Sequence, residues 1–194
     1  ASNFLKGDQK KAAGMMIWAH KNPDILSKTK FFPSTNLYMK DAVTHGLKRR
    51  VRWRPDAALA YWKKHSSRFD FTEMEVAELE KKIYLGLARQ YDDNASTLLA
   101  SLPASYNTQE VLEWQIRVSL RVRDWPSVLK WVGALEKTDG MKLKWYYWKR
   151  RALIAQKMKV PEADQAQFEK LAATRSYYGF LASELLGLSL TLTN

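Results

Sequence analysis

The chain has 194 residues, and its 32 Lys and Arg residues outnumber 20 Asp and Glu residues to give a formal net charge of +12. Hydrophobic residues make up 46% of the sequence, which is enough for a buried core and excludes intrinsic disorder of the whole chain. The absence of cysteine excludes a disulfide scaffold, a thiol nucleophile and a cysteine-ligated zinc site. A surface this basic attracts an anionic partner, such as nucleic acid, an acidic polymer or an anionic membrane face.

Neither terminus has the pattern of a complete secreted or membrane protein. The sequence begins at Ala1 without Met and without the charged and apolar segments of a secretory signal. No run of about 18 apolar residues occurs, so no membrane-spanning helix is predicted. We therefore expect the chain to be a piece excised from a longer protein.

Helical periodicity recurs along the first half of the chain with short interruptions. Asp8 is predicted to cap the first helix, and Ser34 is predicted to begin the second. Pro55 suits the first turn of the third helix. Thr72 and Glu75 have the spacing of a capping box, which predicts the start of a fourth helix.

The second half repeats this pattern more clearly. A short helix is predicted after the possible cap residues 92–94, and four further helices begin with residues that favour a helix N-terminus. These residues are, in chain order, Asn107 paired with Glu110, Asp124, Pro161 and Ser176. Gly187 suits the position just beyond the last helix. Three groups of residues are predicted to share inward faces. They are Val111, Trp114, Val118 and Val122, then Val128, Trp131, Val132 and Leu135, and later Tyr177, Leu181 and Leu185.

The succession of helices determines the predicted fold class. No segment alternates with the two-residue period of a strand, so the protein is predicted to be all-α. Short loops make consecutive helices antiparallel neighbours. About ten helices in TPR- or HEAT-like pairs predict an α-superhelix, or solenoid, although a closed bundle is also compatible. Ala152 and Ala155 are expected to let helices approach closely.

Residues with catalytic potential have simpler structural interpretations. His20, His45 and His65 lack metal-site spacing, so no metal site is predicted. No glycine-rich phosphate loop is present, and no cofactor is predicted. The acidic pairs Asp92–Asp93 and Glu73/Glu75 lie at helix starts, where carboxylates favour the positive end of the helix dipole. The sequence therefore predicts no catalytic residue.

Basic residues interleaved with aromatic residues are more informative. They occur at 48–54, 117–123 and 142–151. Such a pattern suits nucleic acid, because cations contact phosphate while rings stack on bases. It also suits an acidic saccharide or peptide surface, because arginine binds carboxylates. Ordinary amphipathic helices, with aromatic residues inside and cations in solvent, provide a third explanation.

The carboxyl-terminal third resembles a known protein family. Residues 145–153, WYYWKRRAL, resemble the W-x-Y-W-x-A-R-A-L helix of soluble lytic murein transglycosylases. Similar correspondences are Phe168-x-x-Leu171-Ala172 with F-x-x-L-A, 176–182 (SYYGFLA) with R-x-Y-Y-G-F-L-A, and 186–188 (LGL) with the A-x-x-L-G-L ending. Upstream, 117–120 and Asp124-Trp125 are similar to R-x-x-A-L and D-W. The resemblance is sharp over about 108–190. Over 8–107 it rests only on the regular succession of helices.

The resemblance implies a non-catalytic part of a periplasmic enzyme. Residues 1–107 are expected to be the carboxyl-terminal part of the superhelical α-domain, and 108–194 the linker superhelical domain. A lysozyme-like catalytic domain would follow them. The family cleaves the β-1,4 bond between N-acetylmuramic acid and N-acetylglucosamine and leaves 1,6-anhydro products. Its Glu-Ser, G-x-x-Q-x-x-P and A-Y-N-x-G motifs are absent here, and Ser183-Glu184 has the reverse order.

This interpretation specifies candidate contact residues. Substrate carboxylates are predicted to contact four arginines, which are Arg117, Arg121, Arg150 and Arg175. The docking surface for the catalytic domain is predicted to contain Tyr177, Tyr178 and Phe180, with core packing as the alternative role of the tyrosines. The expected partners are peptidoglycan strands and the catalytic domain, without nucleic acid. A stand-alone helical-repeat scaffold that binds protein or nucleic acid is the alternative.

Overall fold

The computed structural model describes residues 5–22, 24, 26, 37–138 and 141–188. These ranges contain ten α-helices and no strand. The helices are α1 (Gly7–Lys21), α2 (Leu37–Arg50), α3 (Pro55–His65), α4 (Glu73–Arg89), α5 (Ala95–Ala100), α6 (Gln109–Arg121), α7 (Trp125–Leu135), α8 (Lys144–Ala155), α9 (Glu162–Ala172) and α10 (Tyr177–Leu185). Short 3₁₀ turns follow α3 and α5. The predicted all-α class with about ten helices is confirmed.

The chain divides into two compact units, Ala1–Tyr106 and Asn107–Asn194. In the first unit, α1 packs on α2, α2 on α3 and α4, and α4 on both α3 and α5. In the second unit, each helix from α6 to α9 packs on the next, and α10 also contacts α8. Helices that are adjacent in sequence are therefore neighbours within each unit. Assignment of the two parts to a superhelical domain and its linker stays a prediction.

Several helix starts are fixed by the predicted capping residues. The Thr72 hydroxyl accepts a hydrogen bond from the Glu75 backbone N–H at 3.2 Å, and the Glu75 carboxylate accepts one from the Thr72 backbone N–H at 2.8 Å. This completes the capping box at the start of α4. Asp124 and Ser176 cap α7 and α10 by accepting from the backbone N–H three residues further on. These three predictions are confirmed.

Two predicted caps are wrong. Helix α1 is preceded by Lys6, and Asp8 lies in its first turn without capping it. The Asp8 carboxylate still favours the positive end of the helix dipole there. Helix α6 is capped by the Thr108 hydroxyl instead of Asn107, because Thr108 occupies the extended position just before the first helical residue. Ser34 lies outside the described residues.

Two residues predicted to face inward are exposed because they lie at helix ends. Val122 follows the last residue of α6, and 62% of it is exposed. Ala155 is the last residue of α8 and is also exposed, so it does not mediate close packing. Ala152, one turn earlier, is fully buried as predicted. The inward stripes of α6 and α8 therefore end before the carboxyl ends of these two helices.

A buried lysine links two helices of the first unit. Lys40 of α2 donates to both carboxylate oxygens of Glu75 at 2.8 Å and to the Asp70 carbonyl at 3.0 Å. These bonds lower the pKa of Glu75. Lys40 also lies 5.4 Å from the centre of the Phe71 ring. The start of α4 is therefore fixed against α2 by a charge-assisted network.

The core of the second unit surrounds α8. Trp145 and Ala152 pack with buried side chains of α6 and α7, which are Leu112, Ile116, Val128, Val132 and Leu135. Tyr147 packs with Phe168, Leu171 and Ala182 of α9 and α10. Trp148 is half-buried and contacts both groups. Helix α8 therefore connects the two parts of this core.

Candidate functional site

The cation-rich aromatic segment at the start of α8 meets a turn of α6. Glu113 of α6 is buried, and its carboxylate accepts a hydrogen bond from Arg117 at 2.7 Å. The Lys142 ammonium lies 3.7 Å from the other carboxylate oxygen of Glu113, and Lys144 is the first residue of α8. We call the set Glu113, Trp114, Arg117, Lys142, Lys144 and Trp145 the Glu113 cluster.

Two indole rings surround the cations of this cluster. The Arg117 guanidinium lies 4.9 Å from the centre of the Trp114 ring and 5.3 Å from that of Trp145. The Lys144 ammonium lies 4.7 Å from the centre of the Trp145 ring. Such cation–π contacts stabilise cations that have lost part of their hydration. The indoles therefore help to hold these charges at fixed positions.

The surroundings of the cluster lower the pKa of both Glu113 and Lys144, with opposite consequences for their charged forms. Burial opposes the charge on Glu113, but hydrogen bonds from Gln109 and Arg117 and the field of Lys142 lower its pKa overall. Burial also lowers the pKa of Lys144, and Glu113 acts against this effect. The positive charges of Arg117 and Lys142 lower it further. The charged form of Glu113 is thus stabilised, whereas the charged form of Lys144 is disfavoured.

Arg150 belongs to another group of side chains, between α8 and α9. Its guanidinium donates a hydrogen bond to the Gln165 amide oxygen. It also lies 4.5 Å from the centre of the Phe168 ring. Gln165 in turn donates to Glu169 at 2.7 Å. The structure therefore gives Arg150 a role in helix packing, and its predicted role in substrate binding stays a prediction.

The other two predicted arginines lie at the surface. Arg121 is the last residue of α6, and Arg175 lies in the turn between α9 and α10. Both are exposed, and each also interacts with other groups of the chain. The four arginines therefore do not form one group, and only Arg117 belongs to the Glu113 cluster.

The aromatic residues of α10 divide between its surface and the core. Tyr177 is 71% exposed and Phe180 is 41% exposed. The Tyr178 ring lies 5.5 Å from Tyr147, and its hydroxyl accepts a hydrogen bond from the Trp148 indole N–H at 3.3 Å. Tyr178 therefore packs in the core with its hydroxyl satisfied, while Tyr177 and Phe180 are available at the surface.

The inward face predicted for α10 is wrong at Tyr177 and Leu185, which are exposed. Leu181 is half-buried and packs against the core as predicted, and the buried residues of the helix are Gly179, Ala182 and Ser183. Small residues face inward because α10 comes close to the end of α9. The Ser183 hydroxyl donates to the Ala172 carbonyl at 2.8 Å, so it has a structural role.

The histidines also interact locally. The His20 Nδ1 and His45 Nε2 atoms are 3.1 Å apart, in stacked rings of α1 and α2. Burial, followed by the positive fields of His20, Arg49 and Lys48, lowers the pKa of His45. Within the described part of the chain, no three His, Asp or Glu side chains are placed to hold a metal ion.

The sequence interpretation did not bring the members of the Glu113 cluster together and missed Glu113 itself. Lys142 and Lys144 were recognised as part of a basic run, but Glu113 was not connected with them. About 30 residues separate Glu113 from Lys144, so their proximity depends on the packing of the second unit. The available signal was the spacing of Glu113 and Arg117, because residues four apart share one face of a helix.

A comparison with solved structures finds chains with a similar fold. One match is the X-ray structure of an inactive mutant of the lytic transglycosylase Slt from Pseudomonas aeruginosa. It has a TM-score of 0.79 and 29% sequence identity, and covers 94% of this chain. The chain spans 29% of the length of that structure. No family model matches the sequence, and no curated protein matches it significantly.

The chain therefore has the helical fold of a lytic transglycosylase. The resemblance inferred from 145–153 and the motifs that follow is confirmed at this level. In the ranges that the structure describes, no helix is both long and apolar enough to cross a membrane.

Proposed function

We propose that the chain is a non-catalytic helical part of a peptidoglycan lytic transglycosylase in the bacterial periplasm. The main support is the structural match, which extends along 94% of this chain but only 29% of the matched structure. The parent enzyme cleaves the bond between N-acetylmuramic acid and N-acetylglucosamine and leaves a 1,6-anhydro end. The carboxylic acid that protonates the leaving oxygen belongs to a separate lysozyme-like domain.

The helical part binds and positions peptidoglycan for that domain. A net charge of +12 supports this role, because peptidoglycan stem peptides have carboxylates. Arg117, Arg121, Arg150 and Arg175 are the proposed contacts. Of these, Arg121 and Arg175 are exposed, and Arg117 is part of the cation-rich Glu113 cluster.

Retention on insoluble peptidoglycan tests this role. We expect the chain to sediment with purified sacculi and to remain bound when excess DNA is added. Chitin, a neutral polymer of N-acetylglucosamine, is the control and should retain much less protein. Release by DNA, with affinity for DNA that falls steeply as salt rises, would instead support the alternative of a nucleic-acid-binding scaffold.

The outer face of α10 docks the catalytic domain. Tyr177 and Phe180 lie three residues apart and are both exposed, so they share one side of this last described helix. Leu188 just beyond the helix is also exposed, at 54%. An exposed aromatic pair at the end of a helical unit is suited to a protein–protein contact.

The double variant Tyr177→Ser/Phe180→Ser tests docking in the full-length protein. We expect loss of transglycosylase activity on sacculi with little change in the melting temperature of the helical part, because both side chains are exposed. Tyr91→Ser is the matched control, since Tyr91 is also 71% exposed. Unchanged activity in the double variant, or equal loss in the control, would contradict the docking role.

A further inference from the structure

The Glu113 cluster contains more positive than negative charge. Arg117, Lys142 and Lys144 supply three cations, and Glu113 supplies one carboxylate. The Glu113 carboxylate is already occupied, because it accepts from Gln109 at 3.0 Å and from Arg117 at 2.7 Å and lies 3.7 Å from Lys142. Within the described residues, the cluster thus has a net charge of about two positive units at close range.

The lysines of the cluster are not equally satisfied. The Lys142 ammonium lies 3.7 Å from the nearer Glu113 carboxylate oxygen, which is long for an ion pair, and 61% of the Lys142 side chain is exposed. The contact described for Lys144 is with the Trp145 ring, which supplies no negative charge. Burial and the neighbouring cations lower the pKa of Lys144, which means that its charged form is disfavoured there. A second anion at this position would relieve the repulsion.

The surrounding groups add further features of a binding site. The Trp145 indole N–H is buried and has no acceptor among the described residues. Arg117 is held over two indole rings, so its orientation is already fixed before a ligand arrives. Lys144, which lies over the Trp145 ring, likewise loses less side-chain entropy on binding than a mobile surface lysine does. These features distinguish the cluster from an ordinary basic surface.

We propose that the Glu113 cluster binds a second carboxylate, supplied by a stem peptide of peptidoglycan. Lys142 and Lys144 contact the ligand carboxylate, and Arg117 holds Glu113 in place beside them. Glu113 limits the net charge, so that a single carboxylate neutralises about half of the excess. This site is a specific part of the proposed peptidoglycan-binding role and rests on that proposed function.

A pair of small probes tests the proposal. The first is N-acetylmuramyl-L-alanyl-D-isoglutamine, which has one free carboxylate, and the second is its methyl ester. We expect the acid to bind the intact chain in a calorimetric titration and the ester to bind about tenfold more weakly, because the ester cannot accept charge-assisted hydrogen bonds as an ion. Binding of the acid should also raise the pKa of Lys144, measured by NMR of its side-chain methylene groups.

Matched lysine variants locate the site. Lys144→Gln should weaken binding of the acid about tenfold. Lys130→Gln is the control, because the Lys130 ammonium also lies over a tryptophan of the second unit, 4.3 Å from the centre of Trp131. We leave Arg117 intact, because its removal would take a charged partner from the buried Glu113 carboxylate and destabilise the fold.

Two results would overturn the proposal. One is equal binding of acid and ester, and the other is equal loss of affinity in Lys144→Gln and Lys130→Gln. If sacculi still retain the chain in either case, the proposed function stands and only the site is wrong. If the acid binds at the cluster but sacculi do not retain the chain, the carboxylate site stands and the proposed function fails.

Discussion

Replacement of Lys149 by methionine is expected to reduce the free energy of unfolding by about 3 kcal/mol, because it breaks a largely buried charge network. The Lys149 ammonium donates to Glu136, which directly follows α7, at 2.8 Å and to Asp164 of α9 at 2.7 Å. Burial opposes this charge, but the two carboxylates raise the pKa of Lys149 overall. Without the lysine, two carboxylates remain close together in the core with no cation between them.

The pH dependence of the loss in free energy of unfolding in Lys149→Met identifies the cause of that loss. Because its folded pKa is raised, Lys149 contributes its full stability below the ordinary lysine pKa of about 10.4 and loses it as pH rises through the folded value. In the variant, the deficit should shrink as pH falls through the carboxylate range, since protonation removes the repulsion. Chemical denaturation from pH 8 to pH 4 measures this change.

Lys130→Met provides the control for this variant. Lys130 lies on α7, is exposed, and contacts the face of Trp131. The free energy of unfolding of Lys130→Met should fall by less than about 1 kcal/mol, as expected for a cation–π contact at the surface. A deficit in Lys149→Met that is equally small, or that stays constant over the pH range, would show that the network does not stabilise the second unit.

Gly179→Ala is expected to destabilise the second unit by about 3 kcal/mol. A Cβ atom at Gly179 would lie 2.1 Å from the Thr174 carbonyl oxygen and 2.9 Å from that of Leu171. These are backbone atoms in the last turn of α9 and in the turn that follows it, so they cannot move away without displacing the backbone. The variant should therefore separate α10 from α9.

Gly133→Ala is the matched control and should have the opposite sign. A Cβ atom at Gly133 meets nothing within 4 Å, and the residue lies inside α7. Alanine there should stabilise the protein by roughly 0.5–1 kcal/mol, because it restricts the unfolded chain and favours a helix. Thermal unfolding measures the change in stability of both glycine variants. A neutral Gly179→Ala variant would contradict the close approach of α9 and α10.

Local signals predicted much of the fold. The capping box of Thr72 and Glu75 and the caps Asp124 and Ser176 depend on residues within one helical turn of each other. The periodic positions of α7 that were predicted to face inward are all buried, and these are Val128, Trp131, Val132 and Leu135. Fold class is therefore accessible from sequence when the contacts that define it are short-range.

The structure of α10 depended on information that periodicity does not contain. Tyr177, Leu181 and Leu185 have helical spacing and suggested an inward face. Which face is buried depends on how closely α9 and α10 approach, and Gly179 provides the space for that approach. Sequence reasoning identified this glycine within the Y-Y-G-F-L-A motif but could not assign its packing role.

The candidate site was only partly predictable for the same reason. Arg117 was identified as a candidate from its basic helix, and it belongs to the Glu113 cluster. Arg150 was chosen on the same grounds, yet it packs against Phe168. A count of nearby cations does not distinguish these environments, because the difference depends on which acids and rings the packing of α6, α8 and α9 places beside each guanidinium.

A single incubation of the purified chain with sacculi, followed by mass spectrometry of the soluble fraction, tests whether the chain supports catalysis without performing it. We expect the protein in the pellet and no 1,6-anhydro muropeptides above the level of the buffer control. Release of anhydro products by the chain alone would contradict a supporting, non-catalytic role.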